Sequence, residues 1–165
     1  MRAFIGLGSN LGDRTDHLRT AVKALAATPG IDVIQLSGIY ETEPVGGPPA
    51  QDDYLNAVVE INTLLGHRAL FDACMTIEHA LGRERSTEER WGPRAIDLDL
   101  LAMGDLVVND PDLEIPHPRL AERAFVLVPW SEIAPYITVP GLGKVHELEE
   151  RLLVTHTVRP AGTLA

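Results

Sequence analysis

Asp97 and Asp99 stand one residue apart in the run Ile96-Asp97-Leu98-Asp99-Leu100. Side chains alternate between faces along a strand, so this spacing puts both carboxylates on one face and packs Ile96, Leu98 and Leu100 on the other. Two carboxylates this close repel unless a cation lies between them. Mg²⁺ suits the position, because it accepts one or two carboxylates and leaves its other sites to water and substrate phosphates. The alternative is a solvated acidic strand face. Immediately upstream lie Arg83, Arg85, Arg90 and Arg94, interleaved with Trp91 and Gly92-Pro93. Guanidinium groups stay charged and grip phosphate bidentately, so arginines beside paired carboxylates suit a metal-bound polyphosphate. Against that stands a surface loop in which Glu84, Glu88 and Glu89 neutralise the arginines.

A second candidate is the spacing Gly6-x-Gly8-x-x-x-Gly12 after a strand and before a helix. Such spacing alone is a weak signal: it suits a loop that cradles a pyrophosphate at a helix N-terminus, but a tight strand-to-helix turn with no ligand accounts for it more readily. A dinucleotide module would add a ribose-binding acid after the second strand, where Glu41 stands. Other templates fail. Neither Lys23 nor Lys144 precedes Ser or Thr as a phosphate-binding loop needs, His146-Glu147 lacks the second histidine of a zinc protease, and Ser9 lacks the flanking glycines of a nucleophile elbow. Of the six histidines, His117 is the one to watch, between Pro116 and Pro118 and near Arg119 and Arg123.

These groups need a scaffold. Ala3–Leu7 reads as a buried strand, Leu18, Val22 and Leu25 as one face of a helix capped by Asp13 and stopped at Pro29-Gly30, and Ile31–Tyr40 as a second strand. Thr42 to Asp53, rich in Pro and Gly, is a loop of functional length. A strand resumes at Tyr54–Ile61, and Leu70, Cys74, Ile77 and Leu81 mark a helix ending at Gly82. Gly104-Asp105 before Leu106-Val107-Val108 predicts a tight hairpin with the preceding strand. Pro116-His117-Pro118 leads into a helical or turn-rich stretch, and the chain closes with short strands and one helix around Val145 to Leu153. Interleaved helices with at least one hairpin predict an α+β sandwich rather than a parallel sheet.

The chain has 165 residues, 45% of them apolar and 23% charged, which predicts one globular domain over 1–165 and excludes disordered and fibrous classes. A net charge of -10 argues against a nucleic-acid partner, since phosphate backbones demand a basic footprint. Cys74 is the only cysteine, so no intramolecular disulfide forms, and a reducing cytoplasm is expected. Met1–Leu7 is too short for a signal segment, and no run approaches the roughly 18 apolar residues of a membrane span.

Four segments together resemble the 6-hydroxymethyl-7,8-dihydropterin pyrophosphokinase family of folate biosynthesis: Gly6-Leu7-Gly8-Ser9-Asn10-Leu11-Gly12-Asp13, Asp53-Tyr54-Leu55-Asn56-Ala57, Arg90-Trp91-Gly92-Pro93-Arg94-Ala95-Ile96-Asp97-Leu98-Asp99, and Pro116-His117-Pro118-Arg119. The third is highly specific, and the order holds from residue 3 to about residue 153. The resemblance implies a ferredoxin-like α+β sandwich, a mainly antiparallel sheet with helices on its faces. It also implies transfer of the β,γ-pyrophosphoryl group of ATP to the pterin hydroxymethyl group, with release of AMP. By position, Asp97 and Asp99 would hold two Mg²⁺ ions, and Arg85 and Arg94 would contact the transferring group. Glu78, Arg90, Trp91, His117 and Arg123 would serve the nucleotide, and Thr42, Pro44, Val45, Tyr54, Asn56, Trp91 and Phe125 the pterin. Asn56 offers a donor and an acceptor to a pterin edge, while Tyr54 and Phe125 offer stacking faces. Met75, Asp112 and Glu43 depart from the family pattern where a glutamine, an arginine and a proline are frequent.

The implied enzyme is a cytoplasmic monomer acting on ATP and hydroxymethyl-dihydropterin, with no membrane or nucleic-acid partner. Two other classes compete: an Asp-x-Asp nucleotide-sugar transferase, which gives the Arg-Trp-Gly-Pro-Arg segment no purpose, and a metal-free module that binds NADPH.

Overall fold

The computed structural model describes residues 1–44, 51–82, 95–153 and 158–165. The first strand, β1 (Arg2–Ser9), is buried along almost its whole length and lies inside the sheet. Helix α1 (Arg14–Ala27) starts where the Asp13 carboxylate accepts the Asp16 N–H at 3.1 Å, and it buries Leu18, Ala21 and Leu25. The chain returns through β2 (Ile31–Leu36) and β3 (Gly38–Thr42), both paired with the ten-residue β4 (Tyr54–Thr63). Helix α2 (His67–Ala80) then leads past the undescribed segment to β5 (Asp97–Met103), which pairs with β1.

Both helical crossovers have the same form. β1–α1–β2 returns parallel with β4 inserted between, and β4–α2–β5 returns parallel with β1 inserted between. Every neighbouring pair is antiparallel, which is the ferredoxin-like arrangement that the family resemblance implies. One face carries α1 and α2 over a core that includes Ile5, Leu7, Leu18, Leu70, Ile96, Leu98 and Leu100. On the opposite face lie α3 (Ala124–Ile133) and α4 (Val145–Leu153), over a core that includes Phe4, Val58, Leu101 and Trp130. The Trp130 indole is fully buried, 5.2 Å from the Phe4 ring. Two ribbons, β6 (Val108–Asp110) with β7 (Leu113–Ile115) and β8 (Thr138–Val139) with β9 (Gly143–Lys144), complete the periphery, and β10 (Arg159–Thr163) adds a strand to the free edge of β3.

Three local expectations change. The single strand predicted over 31–40 is two strands divided at Ser37, whose Oγ accepts the Val58 N–H and donates to the Gly38 carbonyl, each at 2.8 Å. These side-chain bonds replace part of the ladder and let β4 pair with both pieces. The hairpin predicted at Gly104-Asp105 does not form with β5. Gly104 turns the chain at a φ of 54°, and the tight hairpin comes later, with Asp110 opposite Leu113 across Pro111-Asp112. Finally, α3 was not legible, because its first seven residues are all apolar and so show no helical stripe, and Pro129 inside it reads as a breaker. Among the described residues no helix is long and apolar enough to cross a membrane.

Candidate active site

The pairing register lines up one row of residues across three strands. Asn56 of β4 is opposite Gly8 of β1, and Gly8 is opposite Asp97 of β5. Two residues earlier on β1, Gly6 is opposite Asp99. Because Leu98 and Leu100 take the α1/α2 core, Asp97 and Asp99 share the opposite face, as their spacing predicted. A Cβ on Gly8 would sit 3.5 Å from Asn56 Oδ1 and 3.9 Å from Asp97 Cβ, so the missing side chain leaves an open floor between those two residues. This corrects the reading of Gly6 and Gly8 as part of a phosphate-cradling loop: both belong to the strand, and only Gly12 of the three has a positive φ, 71°. The first turn of α1 is capped by its own Asp13, which satisfies the Asp16 N–H there.

Above this floor is a cleft of about 580 Å³. Its lining brings together Thr42, Pro44, Tyr54, Asn56 and Phe125 with Asp97, Asp99 and Arg123. The sheet register explains the first group, since Thr42 pairs with Tyr54 at the ends of β3 and β4. Asn56 Nδ2 donates to Thr42 Oγ1 at 2.8 Å, a buried bond that orients the amide. Phe125 stands at the start of α3, and the Arg123 guanidinium lies 5.5 Å from its ring centroid and, through Nη1, 3.8 Å from Asp99 Oδ2. The cation therefore balances one of the two carboxylates while leaning on an aromatic face. Gly6, Gly8, Arg119, Glu122, Val158 and Arg159 also line the cleft; Gly6 and Gly8 were read as a turn and not as its floor, and sequence reasoning gave Glu122, Val158 and Arg159 no role. Arg119 had a signal, its nearness to His117, whereas Arg159 had none.

Glu78 and His117 do not line the cleft. Glu78 is 1% exposed on α2, and its Oε2 accepts the Leu98 N–H at 2.7 Å. The carboxylate thus grips β5 from below, at the residue between Asp97 and Asp99. His117 donates its backbone N–H to the Leu101 carbonyl at 2.9 Å, and its Nδ1 accepts the Arg119 N–H at 3.3 Å. An accepting Nδ1 belongs to a neutral ring that keeps its proton on Nε2. Burial, reinforced by the Arg123 charge and opposed by Asp97, pushes this imidazole down to about 4.

That depression has a sign. Between pH 6.5 and 4 the unfolded chain takes up a proton at His117 that the native state refuses, so stability is full above about pH 6.5 and falls as the pH drops. In denaturant melts at pH 7 and pH 5, wild type should lose about 1–2 kcal/mol more than His117→Gln. Equal losses in the two proteins would show that His117 is not the group responsible.

Glu41 is not free to bind a ribose. Arg14 Nη1 donates to it at 2.7 Å, and that bond, helped by Arg159, holds its carboxyl below the usual range against the opposing effect of burial. The antiparallel sheet likewise removes the dinucleotide module. Asp112, one of the departures from the family pattern, is paired in both its oxygens with Arg68, which also reaches Asp110 at 2.7 Å. Val45, Arg85, Arg90, Trp91 and Arg94 lie outside the described residues. Among the described residues no three His, Cys, Asp or Glu side chains close on one point as a metal cage. The Asp97–Asp99 pair is the smaller donor set that fits Mg²⁺, which keeps water and phosphate oxygens in its other positions.

A family model described as 7,8-dihydro-6-hydroxymethylpterin-pyrophosphokinase (HPPK) matches residues 4–135. Over 140 residues the chain is 51% identical to the 2-amino-4-hydroxy-6-hydroxymethyldihydropteridine pyrophosphokinase of Methylorubrum extorquens, covering 85% of this chain and 87% of that protein. The Bacillus subtilis protein of the same name is 45% identical over 135 residues, 82% of this chain and 79% of that one. Among solved structures, the wild-type Plasmodium falciparum HPPK-DHPS with pteroate superposes with a TM-score of 0.71 at 14% identity, covering 93% of this chain but 42% of that chain. This likeness supports the fold, and the chain spans less than half of that longer protein.

Proposed function

The chain belongs to the 7,8-dihydro-6-hydroxymethylpterin-pyrophosphokinase family, and we propose that it transfers the β,γ-pyrophosphoryl group of ATP to the hydroxymethyl group of 6-hydroxymethyl-7,8-dihydropterin in folate biosynthesis. The observation that carries this reading is that one cleft is lined by two carboxylates together with Asn56, Tyr54 and Phe125. A planar, hydrogen-bonding heterocycle and a metal-bound polyphosphate are the two ligands such a lining suits.

In this reading the pterin hydroxyl oxygen forms a bond to the β-phosphorus and gives up its proton to solvent, the bond from that phosphorus to the α,β-bridging oxygen breaks, and AMP leaves. Asp97 and Asp99 would hold Mg²⁺, two ions with ATP bound, and the metal supplies neutralisation of phosphate charge when present. The protein's own work is positioning. Asn56, fixed by Thr42, meets the pterin edge, and Tyr54 and Phe125 bound its faces, with Pro44 and Val45 completing that side. Arg123 keeps a positive charge beside Asp99 near the developing phosphate charge. We assign Arg85 and Arg94 to the transferring group, and Arg90, Trp91 and His117 to the nucleotide, with Trp91 also against the pterin. Residues 1–165 act as one catalytic domain, a cytoplasmic monomer with two small-molecule substrates.

Product analysis tests the reading. ATP, Mg²⁺ and 6-hydroxymethyl-7,8-dihydropterin should give AMP and a pterin pyrophosphate in equal amounts, with no turnover when EDTA removes the metal. ADP as the main nucleotide product would overturn it.

A further inference from the structure

The last strand, β10, lies beyond residue 135, where the match to the family ends. Its own residues are exposed, while Leu164 just after it is buried in the core, so packing anchors the far end of β10 and does not account for its first residue. Polar contacts at its first residue do more. Arg159 pairs with Glu41 in the strand register, and its Nη2 lies 2.9 Å from Asp53 Oδ2 and 3.6 Å from Glu41 Oε1. Glu41 precedes Thr42 on β3, and Asp53 precedes Tyr54 on β4. Arg14 reaches the same two residues from α1, donating to Glu41 Oε2 at 2.7 Å and to the Asp53 carbonyl at 2.8 Å. Two arginines and two acids therefore alternate around the point where β3 ends and β4 begins. At the far end of β10, Arg19 donates to the Thr163 carbonyl at 3.1 Å, so the strand is tied at both ends.

We propose that Arg159 is a positioning residue for the pterin site. It staples the ends of β3 and β4 together and so sets the spacing of the Thr42–Tyr54 pair and the Thr42–Asn56 hydrogen bond that form one wall of the cleft. The inference deepens the function proposed above and rests on it for the identity of the ligand. Val158 and Arg159 themselves reach the cleft lining, so the staple stands at the mouth of the wall it holds. Both partners are partly exposed, Arg159 at 46% and Asp53 at 34% of the side chain, which limits the effect to that of a screened ion-pair network.

The test compares Arg159→Ala, Arg159→Lys and Asp53→Asn in the full chain. For Arg159→Ala the KM for 6-hydroxymethyl-7,8-dihydropterin should rise about three- to fivefold, with kcat and the KM for ATP within about twofold of wild type. Lys should restore part of the loss, since it keeps the charge without the fork. Asp53→Asn should reproduce the effect if Arg159→Ala proves poorly folded, and the double variant should be no worse than either single one. Amide exchange at Thr42 and Tyr54, followed without substrate, should quicken in the same variants. Unchanged pterin KM and unchanged exchange overturn the proposal, as does full additivity of the two substitutions. Should wild type release no AMP, the functional reading fails, and exchange alone decides the staple: faster exchange upholds it and equal exchange rejects it.

Discussion

Replacing Asp97 or Asp99 with Ala is expected to lower kcat by roughly 10²-fold or more, a loss typical of removing a key electrostatic group. The two side chains share one face of β5 beside the cleft, while the residues that anchor the strand, Ile96, Leu98 and Leu100, face the other way into the core. Removing either carboxylate therefore leaves the core packing intact, so both variants should still fold. The two variants should still differ from each other. Asp99→Ala strips Arg123 of the carboxylate 3.8 Å away while its contact with Phe125 remains, whereas Asp97→Ala leaves this pair untouched. Steady-state kinetics at saturating Mg²⁺ and ATP, with melting curves on the same samples, provide the check. Near-full activity in both variants would reduce the pair to ordinary surface charge.

The second large effect is expected at Glu78. Its buried carboxylate accepts the Leu98 N–H at 2.7 Å, and among the described residues β5 is the terminal strand of its sheet, next to β1. Glu78→Ala leaves that N–H buried without its acceptor, which costs about 1–3 kcal/mol, and adds the cost of the space vacated. Since Leu98 lies between the two aspartates, a strand that shifts to find another partner carries Asp97 and Asp99 with it, and displacements near 1 Å can cost on the order of 10²-fold. The prediction is a lower midpoint and a fall in kcat of about tenfold or more, with equilibrium affinity for ATP changed less. Glu78→Gln keeps an acceptor oxygen and should recover most of both losses. The family resemblance alone, by putting Glu78 on the nucleotide side, predicts the opposite weighting: weaker ATP binding with the chemical step preserved. Single-turnover rates and equilibrium binding on the Ala and Gln variants separate the two.

Much of the site was legible because strand periodicity is a local property. Alternation in Ile96-Asp97-Leu98-Asp99-Leu100 needs only the pleat to send both carboxylates one way, and Asp13 could be read as an N-cap because capping joins neighbours in the chain. The sequence also carried the fold class, through the order of its strands and helices, and the family, through the Arg-Trp-Gly-Pro-Arg segment. What it did not carry were properties of pairing. Gly6 and Gly8 looked like a phosphate turn until register set them opposite Asp99 and Asp97, where a missing side chain opens a floor. Nothing in the sequence announced that α2 packs the Glu78 carboxylate under Leu98. Arg159 had no signal of its own, since its partners Glu41 and Asp53 are more than 100 residues away in the chain and meet it only once β10 joins the sheet. Periodicity and caps act over a few residues and are written in the chain, whereas the floor, the grip on β5 and the ion network exist only after distant segments pair, and which segments pair is decided by burying both sheet faces at once.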